Sequence, residues 1–169
     1  TDGADHTDYQ SHVAASDLLP RMLQAASERC DIVVVDTPPG LGPIARRVLL
    51  SSDRVIVPLQ AEPLALQTTP QILRSIQDVV KSNPALTLDG ILLTMVEAGN
   101  ASCDRTVAYV REHLPAGMVF DIVIPRSTAL VEAFAAGQPA VVRDAADPAS
   151  QAYVNLATLL ADRLTRPSA

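Results

Sequence analysis

The sequence predicts an α/β domain with a mainly parallel sheet and flanking helices. Two observations carry this. Short runs of apolar, largely β-branched residues recur along the chain, too apolar to leave one face in water, as in strands buried on both faces of a parallel sheet. Between them lie longer stretches with helical spacing of apolar residues, so strand and helix alternate. No internal repeat or low-complexity linker interrupts the alternation.

The elements follow in order. Residues 1–16 (TDGADHTDYQSHVAAS) are polar and read as a tail or loop; His6 and His12 lie among Asp2, Asp5 and Asp8, but a metal site needs a rigid frame and a solvated segment explains them as well. The α/β domain is assigned to residues 17–169. Ser16 or Asp17 is placed to cap a first helix carrying Leu18, Leu19, Met22, Leu23 and Ala26 on one face, with Pro20 in its first turn. Strands are expected at 31–36 (DIVVVD), 54–60 (RVIVPLQ), 89–96 (DGILLTMV) and 119–125 (VFDIVIP), with a short fifth at 140–142 (AVV). Helices are expected at 43–52, at 65–82 with Ile72, Ile76, Val79 and Val80 on one face, at 103–114, and at 128–137, where Gly137 supplies the stop. A last helix, 147–164, carries Tyr153, Leu156, Leu160 and Leu164 on one stripe.

Composition narrows the function. The chain has 169 residues, 48% of them hydrophobic, which suits one domain with a sizeable core. Aromatic residues make up 3% and Trp is absent, so no base-stacking platform for single-stranded nucleic acid is available. The formal net charge is −6, and the longest basic cluster is Arg46-Arg47, which disfavours nucleic acid and anionic membrane as partners of the whole chain. Cys30 and Cys103 show no metal spacing and read as free thiols. No run approaches the ~20 apolar residues of a membrane span and no signal-peptide pattern opens the sequence, so a cytoplasmic location is expected.

In parallel α/β sheets, ligands sit at the carboxyl ends of the strands. The exits run from Asp36 to Gly42, Gln60 to Pro63, Thr94 to Gly99 and Pro125 to Thr128. An aspartate at a strand end can hold Mg²⁺ through water, although Asp also favours turns for its own reasons. Pro38 and Pro39 stiffen the first exit, and Gly40 and Gly42 allow unusual dihedrals. Pro125 and Arg126 could sandwich a flat base between a ring and a guanidinium plane, or simply end a strand in water.

From about Leu18 to Leu164 the chain resembles the ParA/MinD group of partition and positioning ATPases, and ParA more than MinD. Five segments carry the resemblance in order: DIVVVDTPPGLG (31–42), SSDRVIVPLQAEPLAL (51–66) with its Gln60-x-Glu62 pair, GILLTMV (90–96), VIPRSTALVEAFAAGQPAV (123–141) and SQAYVNLA (150–157). The resemblance implies a P-loop NTPase-like fold of the deviant Walker A class. It implies ATP and Mg²⁺ as cofactors, with Asp36 assisting the metal and the attacking water. It implies a phosphate-responsive switch at Thr37, Pro38, Pro39, Gly40 and Gly42, and adenine contacts from Thr94, Met95, Pro125 and Arg126. As partners it implies a second copy in a homodimer, a protein of the ParB type, nonspecific DNA, and no membrane.

Two features depart from the family pattern. Its phosphate-binding loop, Lys-Gly-Gly-x-x-x-Lys-Thr/Ser, would cradle the phosphates on backbone N–H groups and neutralise them with lysine. The 169 residues contain no such segment, and their one lysine is Lys81. The family's first strand, the interior neighbour of the strand at 31–36, is missing with it. Unpaired buried backbone groups cost about 1–3 kcal/mol each and an apolar edge invites pairing. The sequence therefore reads either as the C-terminal portion of a longer ATPase or as a short relative that closes the gap by dimerising. Second, a family DNA-binding arginine position, three residues after Arg126, holds Ala129, leaving a displaced Arg105 to stand in, so DNA binding is expected to be weakened. Three functions are consistent with these residues: a partition or positioning ATPase driving DNA or cargo segregation, a non-catalytic adaptor that lost hydrolysis, and a metabolic enzyme on the same scaffold using Glu62 and Arg126.

Overall fold

The computed structural model describes residues 16–40 and 42–165. In chain order these form α1 (Leu18–Ser27), α2 (Pro43–Leu50), β1 (Arg54–Gln60), α3 (Pro63–Val80), β2 (Thr87–Val96), α4 (Ala101–His113), β3 (Val119–Pro125), α5 (Thr128–Ala135), α6 (Ala140–Arg143) and α7 (Pro148–Thr165). The three strands make one sheet in the order β1-β2-β3. β2 and β3 run parallel, with Ile91 opposite Val119, Leu93 opposite Val123 and Val96 opposite Pro125. β1 runs the same way: Thr87 N–H donates to Asp53 O at the start of the pair and Ala61 N–H to Thr94 O at its end. The α/β class with a parallel sheet and flanking helices is therefore realised. The polar segment 1–15 and its histidines lie outside the described residues.

Two compact units divide the chain. One holds the described residues through Val55 together with Thr68–Asp89; the other holds Ile56–Gln67 and everything described from Gly90 onward. In the first unit, Leu49, Val79 and Leu86 form a buried cluster with Leu50, Val55 and Val80 against it. Asn83 Nδ2 ties it to the end of α2 by donating to Leu49 O (3.0 Å) and Ser52 O (2.9 Å). The buried Asp89 accepts from Arg54 at 2.6 Å, which gives its carboxylate an ionic partner out of water. In the second unit, Leu92, Phe120, Ile124, Ala149 and Leu156 form the core, with Leu130, Leu159 and Leu160 packed on it. Its closing helix α7 lies against β3.

Two expected strands are absent from these positions. Residues 31–36 are not in a strand; a ladder needs a partner for its N–H and C=O groups, and no described strand pairs with this segment. Val34 is 89% exposed and Ile32 57%. Residues 140–142 belong to the single helical turn α6: Pro139 has φ −62° and its carbonyl accepts from Val142 and Arg143 N–H, turning the chain before it can extend. At α1, Asp17 stands at the N-cap without capping, because its carboxylate reaches Arg47 instead at 3.1 Å.

Candidate nucleotide site

The second unit gathers one set of strand exits. Pro125 ends β3 opposite Val96, and the next residue, Arg126, donates its N–H to Val96 O at 2.9 Å. Pro-Arg is thereby set beside the end of β2, where Thr94 and Met95 lie. Thr94 O is also the acceptor for Ala61 N–H, so the β1 exit is tied to the same place. Thr94 and Pro125 are half-buried; Met95 and Arg126 are exposed. The Arg126 guanidinium stands 3.6 Å from the Glu62 carboxylate, an open ion pair with both side chains about half exposed.

Met95 has φ +55°, the left-handed region that a side chain enters at a cost. The loop that follows it is held from below. Glu97 N–H donates to the buried Cys103 Sγ (3.4 Å), and Asn100 caps α4 by accepting from Ser102 and Cys103 N–H while its amide donates to Glu97.

Beyond Arg126, Ser127 caps α5 by accepting from Ala129 N–H at 3.0 Å and donates its hydroxyl to Asp147 Oδ2 at 2.8 Å. The other oxygen, Asp147 Oδ1, accepts from Ala149 and Ser150 N–H and so caps α7. The Ser127 hydrogen bond holds the Asp147 carboxyl below its usual value against an opposing contribution from burial, and the two N–H donors lower it further.

Asp36 belongs to the first unit. It is exposed, in a segment without regular secondary structure rather than at the end of a strand. Thr37 is half-buried and Pro38 and Pro39 are exposed. Gly40 has φ +86°, a conformation that suits glycine, whereas Gly42 has φ −65°, open to any residue, and serves as the N-cap of α2 ahead of Pro43. Leu41 lies outside the described residues.

The sequence reading placed Thr94, Met95, Pro125 and Arg126 on two exits, and the fold brings those exits side by side. It did not single out Ser127 or Asp147. A usable signal was present: Asp147 precedes Pro148 at the first position of the closing helix, the pattern of an N-cap aspartate.

The sequence also has relatives. A family model described as an AAA domain matches residues 5–88. The sporulation initiation inhibitor protein Soj of Bacillus subtilis is 33% identical over 140 residues, covering 82% of this chain and 55% of that protein. The chromosome partitioning protein ParA of Caulobacter vibrioides is 37% identical over 126 residues, covering 74% of this chain and 47% of that one. The chain belongs to the ParA/MinD family. It spans about half the length of these relatives. Among solved structures, the cobyrinic acid a,c-diamide synthase of Mycobacterium smegmatis, determined with bound ADP and magnesium, superposes with a TM-score of 0.61 at 28% identity, over 76% of this chain and 60% of that one. No helix among the described residues of this ParA/MinD chain is long and apolar enough to cross a membrane.

Proposed function

We propose that this chain provides the adenine side and the metal-assisting aspartate of a ParA-type partition ATPase. The observation that carries the reading is the juxtaposition of Pro125-Arg126 with the Thr94–Met95 strand end, fixed by the Arg126 N–H to Val96 O bond. A ring, a thioether and a guanidinium plane at one place suit a flat, π-rich base. The exposure of Met95 and Arg126 leaves them free to meet it.

ATP and Mg²⁺ are the expected cofactors. Among the described residues no cluster of three or more His, Cys, Asp or Glu side chains is placed to hold a metal. In phosphoryl transfer Mg²⁺ is usually held through one carboxylate, several waters and the phosphates themselves. Asp36 is the carboxylate assigned to it, and Thr37 to Gly42 the segment that responds to the phosphate. When bound, the metal neutralises charge developing on the phosphoryl oxygens. Asp36 would orient the water through its carboxylate, and Arg126 and Pro125 would hold the base. The names of the relatives support chromosome partitioning as the process; a second copy of the chain and a ParB-type protein are the partners that this reading adds.

The test is ATP hydrolysis by the protein at the length its source cells make. Asp36→Ala is expected to lower turnover by about a hundredfold or more while leaving the melting temperature close to that of the parent. Unchanged turnover would remove Asp36 from the mechanism. Among the alternatives, the adaptor reading has no observation favouring it over this one. The likeness to the diamide synthase favours a nucleotide-binding scaffold shared with a metabolic enzyme, for which Glu62 and Arg126 are the candidate residues.

A further inference from the structure

Arg126 is a single residue between two fixed points. On its N-terminal side, Pro125 is in register with Val96, whose carbonyl takes the Arg126 N–H at 2.9 Å. On its C-terminal side, Ser127 is anchored by its hydroxyl to Asp147, 20 residues further along the chain. Asp147 cannot shift freely to accommodate that hydroxyl. One of its oxygens is occupied by Ala149 and Ser150 N–H (2.8 and 3.3 Å), and its own N–H donates to Asp144 Oδ1 at 3.2 Å. Helix α7 is seated on the unit's core through Ala149 and Leu156. The chain of contacts therefore runs from the core, through the first turn of α7, through the Asp147 carboxylate and the Ser127 hydroxyl, to the residue next to Arg126.

A hydroxyl has one proton to give. Ser127 donates it to the carboxylate and uses a lone pair to take Ala129 N–H, so both orientations of the loop's C-terminal end are set by one side chain. The guanidinium, by contrast, is paired with Glu62 across 3.6 Å, an exposed pair of small strength. The side chain can swing, while the backbone from which it swings is fixed by Asp147.

We propose that Asp147 is a positioning residue for nucleotide: through Ser127 it sets the backbone at Arg126 so that the guanidinium meets the base. This rests on the reading of Arg126 as a base contact given above. It assigns the start of α7 a part in nucleotide selection in addition to packing.

The test measures affinity for a fluorescent ATP analogue, and separately for base-free tripolyphosphate, in the protein at its native length. Asp147→Ser keeps an oxygen to cap α7 and withdraws the one that reaches Ser127. It is expected to weaken binding of the ATP analogue by about two- to fivefold, the range for loss of an exposed cation–π contact, and to leave tripolyphosphate binding unchanged. In an Arg126→Ala background it should add no further loss. Ser127→Ala, which removes the same bond from the other partner, should reproduce the result; melting curves establish that each variant is folded. The proposal is overturned if Arg126→Ala weakens analogue binding and both Asp147→Ser and Ser127→Ala do not. It is also overturned if the losses add in the double variant, or if tripolyphosphate binding falls in parallel. If Arg126→Ala itself leaves binding unchanged, the base-contact reading fails first and this inference with it.

Discussion

Asp147 is the residue whose chemistry the structure defines most fully. It accepts from a hydroxyl and two backbone N–H groups, all of which favour the ionised form, and its carboxyl is held below its ordinary value. Such a group stabilises the fold in full above the ordinary carboxylate range, and its contribution is lost as pH falls through the lowered folded value. The difference in melting temperature between the parent and Asp147→Ser is therefore expected to be constant near neutrality and to shrink in acid. A difference that grows in acid would contradict the assigned hydrogen bonds. The place of Arg126 at a strand end was legible because Pro-Arg follows an apolar run; its part as a base contact came from the family resemblance. The helix-capping place of Asp147 was legible from Pro148, but its bond to Ser127 was not, because it spans 20 residues and no spacing rule announces it.

At the scale of elements, local chemistry explains both what could be read and what could not. The strands at 54–60 and 119–125 were legible from β-branched runs alone. The stop of α5 was legible from Gly137. That residue has φ +62°, and Gly137 and Gln138 N–H return to Phe134 and Ala133 O in a Schellman closure. Residues 31–36 have the same β-branched signature and yet form no strand, since β propensity measures fit to a neighbour and supplies none. The stripe on α7 was legible in part: Leu156 is buried, but Tyr153 and Leu164 are exposed near its ends. Gly90 carries information that its place in a strand pattern hides. Its φ is +149°, and a Cβ there would stand 3.1 Å from Met118 O and from the Phe120 ring. Its neighbour Ile91 donates to that same carbonyl at 2.7 Å, so the backbone has no room to retreat. Gly90→Ala is expected to destabilise the fold by about 1–3 kcal/mol in chemical denaturation. A change below a few tenths of that would show that β3 yields at Met118.

At the scale of the molecule, the parallel sheet explains why residues from separate stretches of sequence form one candidate site. β2 and β3 deliver Thr94, Met95, Pro125 and Arg126 to the same end, and β1 brings Glu62 to Arg126. Within the proposed function, nucleotide binding through Arg126 is the link on which the rest depends. The decisive measurement is a titration of the native-length protein and its Arg126→Ala variant with a fluorescent ATP analogue. The account predicts a loss of about two- to fivefold in affinity for the variant with an unchanged melting temperature. Equal affinities would contradict it and leave Arg126 as a solvated strand end.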